Sequence, residues 1–245
     1  LASAFVLGSL LLALEVVWFR FLLLFVAGSS LAFSLMLAVV LAGIGLGGLT
    51  GGRWLARSPA AWRTAPTLAA LAGALCIALY LGFDQVLNFS QQTSAMTASE
   101  IILRAIPLMF PVSLISGVLF TLLGSLLHEQ TGGETWAAGL LTLANTTGGV
   151  AGAILGGFVL LPTLGMEASL HWLAGGYAIA AAFAFAGGAR AKGGGQTSLL
   201  ATCVAALVLL FVFFPRGFLE ENYLGRSLSR YVPPEVPVAM NEGLT

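Results

Sequence analysis

From Leu1 to Phe214 the chain is almost unbrokenly apolar, and that property excludes most folds. Apolar windows of about 20 residues recur along it, each long enough to cross roughly 30 Å of hydrocarbon. Only 8% of the 245 residues are charged, against about 25% in a typical soluble domain. No soluble fold of this size buries so much apolar surface. The sequence therefore predicts an all-α polytopic transmembrane helical bundle of about seven spans, at 2–26, 31–52, 65–83, 101–127, 136–161, 169–188 and 197–214. Residues 1–214 form the membrane domain, and 215–245 form an extramembrane tail with the only sustained polar composition in the chain. Lipid is thus the first expected partner. The formal net charge is zero, which gives no reason to expect nucleic acid.

Orientation follows from the arginines. Arg53, Arg57 and Arg63 follow the second span, and Arg190 and Lys192 follow the sixth. With seven spans these segments share one side. Asp84, Glu100 and Glu167 lie on the other, with Arg104 the one basic residue near them. The positive-inside rule puts the arginine-rich side in the cytoplasm, so the N-terminus is expected there and the tail outside. A bacterial cytoplasmic (inner) membrane is the expected location. Leu1 in place of Met leads to the expectation that a segment precedes it. The polar, almost uncharged stretch 84–100 is read as a short interfacial helix.

Two spans carry glycine at helical spacing. Gly43, Gly47 and Gly51 recur every fourth residue in the second span, and Gly148, Gly152 and Gly156 do so in the fifth. Residues four apart share a helix face, and small residues let helix backbones approach closely in lipid. Both helices are therefore read as central, tightly packed elements. Each is the middle member of a triplet, spans 1–3 and 4–6, and the two triplets enter from opposite sides. That is the pattern of a 3+3 inverted repeat, common in secondary transporters. Pro107 and Pro111 in the fourth span predict a kink.

Glu15 and Arg20 are the charged pair of the first span. A charge in the bilayer is costly, so such residues face the bundle interior, pair, or reach for the interface. Three roles stay open for them: an internal structural anchor, a ligand or proton site, and interfacial snorkelling. Asn145 in the fifth span is the third candidate of this intramembrane polar site, with Glu15 or a helix terminus as its expected partner. Glu100 and Arg104, four apart, are read as an interfacial pair. His128 and His171 lack metal-ligand spacing, and Cys76 and Cys203 lie in apolar windows, so no metal site or disulfide is expected. No nucleotide loop, zinc-hydrolase or CxxC motif occurs. No catalytic residue and no cofactor are assigned to this chain.

Four blocks carry a family resemblance: EVVWFR in the first span, SSLAFSLMLAVVLAGIGLGG in the second, IPLMFPVSLISGVLF in the fourth and LANTTGGVAGAILGGFVLLPTLG in the fifth. They look like the membrane domain of the spermidine-synthase-like integral membrane proteins, whose transmembrane region resembles the major facilitator fold. The resemblance covers most of 5–170. It makes Glu15, Trp18 and Arg20 characteristic first-span residues and puts Asn145 and Gly148 in the fifth-span signature. In that family an aminopropyltransferase domain for polyamine biosynthesis often follows the membrane region, and YVPPEVPVAMNEGLT resembles the lead into it. Its nucleotide loop and catalytic aspartates do not occur here, so any such enzyme activity would belong to a domain beyond Thr245. The resemblance implies an anchoring or substrate-handling membrane domain. The competing readings are a small-molecule transporter-like protein, and a structural subunit of a larger membrane complex with membrane-protein partners or further copies of itself.

Overall fold

The computed structural model describes residues 1–26, 28–83, 97–186 and 194–224. Those residues are all-helical, without a strand. Seven α-helices follow one another: α1 Ala2–Leu22, α2 Ser30–Arg57, α3 Ala65–Leu81, α4 Ala98–Thr131, α5 Glu134–Ile154, α6 Leu161–Ala186 and α7 Gly194–Val212. A 3₁₀ segment, Pro59–Thr64, leads into α3, and π-helical segments occupy Leu155–Leu160 and Leu219–Leu224. Five helical stretches are long and apolar enough to cross a membrane, so the chain is an integral membrane protein. The longest, Glu134–Ala186, holds both α5 and α6. The apolar part of α7, Ser198–Val212, is shorter than the others.

Local sequence sets the helix ends. The Ser29 hydroxyl accepts the Ala32 amide and starts α2. Thr97 and Glu100 form a reciprocal capping box at the start of α4. Gly132, at φ +68°, closes α4 in the left-handed conformation that glycine adopts without penalty. The α4 helix runs unbroken through Pro107 and Pro111. Gly165 has φ 76° and ψ 179°, and this one residue interrupts the helical path between the first turn of α6 and its body.

Glycine contacts fix helix directions. Gly148, Gly152 and Gly156 of α5 meet the backbone of Phe5, Ser9 and Ala13 of α1. Residue numbers rise together, so the two helices run parallel. In the same way Gly43, Gly47 and Gly51 of α2 meet Phe110, Leu114 and Val118 of α4, again parallel. Adding 105 to the α1 positions 5, 9 and 13 gives the α4 positions 110, 114 and 118, and adding 105 to the α2 glycines 43, 47 and 51 gives the α5-side glycines 148, 152 and 156. By contrast α3 and α6 are antiparallel, since Gly73 faces Ala174 and Tyr80 faces Glu167. Helices α3 and α7 are parallel, with Gly73 against Leu207 and Tyr80 stacked on Phe214. The end of the bundle where α1 starts is called the near end, and the end where α1 stops is the far end.

One expectation is corrected here. The glycine helices are tightly packed but not central. About a third of the α2 window is buried, against more than half of those of α1, α3 and α4. Each glycine row serves one neighbouring helix, and the opposite faces, with Leu41, Leu49, Val150 and Phe158, stay outside. The core instead runs along α1, α3, α4 and α6, from Leu14 and Trp18 through Ile77 and Leu119 to Tyr177. Lipid supplies no hydrophobic drive between helices, so packing of this kind carries association.

Candidate functional site

The polar groups fall into two sets, one inside the bundle and one at its far end. The inner set holds the residues singled out by sequence. Asn145 lies against Gly8, where a side chain on the glycine would run into the Asn145 carbonyl. The neighbouring Ser9 hydroxyl donates to the Gly148 carbonyl at 2.8 Å, tying α1 to α5. Glu15 is seven residues beyond Gly8, roughly 10 Å along the helix axis. Asn145 and Glu15 therefore stand at different levels. Glu15 is level with Ala13 and Val16, which face Gly156 and Gly157 in the π-helical segment. It is partly buried and makes no hydrogen bond or ion pair with another described residue. Arg20, also partly buried, is engaged in an interaction of its own. A π turn places one extra residue in the helix and leaves its backbone bonding irregular, which is frequent at functional sites. Glu15 thus stands at the level of irregular backbone, one helix face round from the residues that touch it. None of the three described clefts touches Glu15, Arg20 or Asn145.

Trp18, on the same helix, is fully buried and its indole N–H has no partner. Among the described residues no three metal-ligating side chains come together, and Cys76 and Cys203 are free thiols.

The far-end set was not picked out from the sequence. Glu167 begins the body of α6, just past the Gly165 break. One carboxylate oxygen accepts the Gly217 amide and the other the Leu219 amide, each at 2.7 Å. The Tyr80 hydroxyl approaches the second oxygen at 3.4 Å. Glu167 thereby caps the start of the Leu219–Leu224 segment, whose leading amides would otherwise lack acceptors. Farther on, the Tyr223 hydroxyl donates to the Tyr80 carbonyl at 2.6 Å. The Phe21 ring packs edge-on against Tyr80, Phe83 and Tyr223, with centroids 5.1–5.4 Å away. The result is an aromatic lid held over the ends of α1 and α3 by one carboxylate.

Arg104 belongs to this end as well. It is 3% exposed, and its guanidinium donates to the Phe25 carbonyl at the end of α1. Arg104 is thus buried within the protein at the start of α4, where its guanidinium supplies a donor to a carbonyl that α1 leaves open. Glu100 turns back to the Thr97 amide. Beside the lid, His171 stacks on Phe211 at 3.9 Å, and its Nδ1 is buried without a partner.

At the near end the Trp62 indole donates to Glu129 at 2.9 Å, joining the segment before α3 to the end of α4. The Arg63 guanidinium lies 5.5 Å from the Trp62 ring centroid. Arg53 and Arg57, at the end of α2, share this end. Arg190, Lys192, the 84–96 stretch and the tail from 225 onward lie outside the described residues. No family model matches the chain, and neither a curated protein nor a solved structure is detectably similar to it.

Proposed function

We propose that this chain is the substrate-handling membrane domain of a spermidine-synthase-like protein, with Glu15 as the group that receives a small organic cation of the polyamine class. The observation that carries the reading is the Glu15 carboxylate, partly buried within the bundle, without a hydrogen bond or ion pair to another described residue, and level with the π-helical segment that follows α5. A carboxylate held away from water gains most from a cation that brings its own hydrogen-bond donors. The bundle supplies position and electrostatics. The chemistry on the substrate, in this reading, belongs to a soluble domain beyond Thr245. The near end, with Arg53, Arg57 and Arg63, is assigned to the cytoplasm of a bacterial cell, and all seven helices are assigned as spans.

The test is equilibrium binding of radiolabelled spermidine to the full chain in lipid nanodiscs. Saturable binding that falls about tenfold or more in Glu15→Gln supports the reading, since a charge-assisted contact is worth that much. Absence of saturable binding, or equal binding by the variant, overturns it.

A transporter-like activity is the second reading, and the 105-residue correspondence favours it. Exchanging α1–α3 with α4–α6 turns each parallel glycine contact into the other. Because α1 and α4 point in opposite directions, the exchange supports the reading of the bundle as an inverted repeat, the architecture of many secondary transporters. Uptake of spermidine into proteoliposomes, as opposed to binding alone, separates the two readings.

A further inference from the structure

Between α6, α7 and the turn after α7, the far end holds a cleft of about 460 Å³. Its walls are of two kinds. Trp172, Phe211 and Val212 make an apolar side that continues onto the outer surface, where Phe213 is 76% exposed. Arg216 and Glu220 make a polar side. Glu167 borders the cleft too, but its oxygens are occupied by the Gly217 and Leu219 amides. Arg216 and Glu220 are exposed, and neither forms an ion pair or hydrogen bond with another described residue, although only four positions separate them. His171 lines the same cleft with its Nδ1 unpartnered, and buried polar atoms in folded proteins nearly always have a partner.

A guanidinium and a carboxylate free of hydrogen bonds to described residues, and an exposed indole that packs edge-on against Phe211, set at the edge of an apolar wall, complement a head that carries both charges. A phosphate pairs with Arg216. An ammonium pairs with Glu220 and with the face of Trp172, which is 59% exposed. Acyl chains continue along the apolar side. A purely anionic head satisfies Arg216 but meets Glu220 with like charge, and such juxtaposition is a means of rejection. A free head without chains gains nothing from Trp172, Phe211 and Val212. We infer that this cleft binds a zwitterionic phospholipid by its headgroup, with the phosphate on Arg216 and the ammonium on Glu220. The site is separate from Glu15 and does not depend on the function proposed for it.

The experiment is native mass spectrometry of the full chain in mild detergent. It is titrated with dioleoyl phosphatidylethanolamine, dioleoyl phosphatidylglycerol and soluble glycerophosphoethanolamine. The expected result is about tenfold tighter retention of the ethanolamine lipid than of the glycerol lipid. Arg216→Gln should lower that retention about tenfold, with Arg216→Lys restoring most of it. Glu220→Gln should abolish the preference between the two lipids. Equal retention of both lipids by the unaltered chain overturns the inference, and so does an Arg216→Gln chain that retains the ethanolamine lipid as well as the parent. Competition by glycerophosphoethanolamine at the concentration of the whole lipid also overturns it, because recognition would then rest on a free head. If Arg216→Gln fails to fold, the parent's lipid ratio and Glu220→Gln still decide.

Discussion

Gly152 of α5 sits directly against the backbone of Ser9 of α1, so that any Cβ on the glycine would strike the Ser9 carbonyl. Gly47 of α2 stands in the same relation to Leu114 of α4. Neither obstacle is a flexible side chain, so relief requires the helices to separate. Gly152→Ala and Gly47→Ala should each cost about 1–3 kcal/mol, as overpacking does in tight interiors. Gly45 and Gly52 have open space where a Cβ would go, so Gly45→Ala and Gly52→Ala should be neutral or slightly stabilising. Equilibrium unfolding in lipid–detergent mixtures reads the difference, and a harmless Gly47→Ala would refute the close contact.

Gly165 combines φ 76° with ψ 179°, a region that side-chain-bearing residues essentially never occupy. Gly165→Ala should lose about 1–3 kcal/mol to backbone strain. The same unfolding measurement checks it. A loss no larger than at an ordinary helical glycine would mean that the chain passes position 165 another way.

Glu167→Gln should loosen the segment after α7 without unfolding the bundle. The neutral amide keeps one acceptor oxygen and loses the charge that strengthens both backbone bonds. Hydrogen exchange at the Gly217 and Leu219 amides should rise about tenfold or more, while amides in α1 and α4 keep their protection. Unchanged exchange at both amides would remove Glu167 from its capping role.

Tyr223→Phe removes one hydroxyl that donates to the Tyr80 carbonyl. The ring contacts with Phe21 and Phe218 remain. A loss of about 1 kcal/mol, the usual net value of such a bond, should appear as faster proteolysis within 217–224. A much larger loss would mean that the aromatic cluster is positioned by that hydroxyl instead of by packing.

What could be read from the sequence depended on whether a feature is local. Apolar length announces a membrane helix, so the helices fall close to their expected places, with α4 and α2 longer at their ends than hydropathy alone gave. The four-residue spacing of Gly43, Gly47 and Gly51 announces a face, but spacing does not say which helix that face meets or how much of the opposite face is left outside. That is why α2 and α5 were expected at the centre. Arg104 at a helix start looks interfacial until the open carbonyl of Phe25, far away in sequence, is brought beside it. Glu167 was legible only as a charge on one side. Its partners are backbone amides at 217 and 219, and every sequence offers such amides everywhere. The expected spans left 162–168 between them, whereas the helical path there is interrupted at a single residue, Gly165.

That narrow interruption leaves little slack in the chain. The π-helical turns level with Glu15, the Gly165 break and the Glu167 cap follow one another within thirteen residues of chain, with no loop among them. The glycine track of α5 on α1 and the carboxylate that holds the Gly217 and Leu219 amides are thus joined by one short, nearly continuous helical connection.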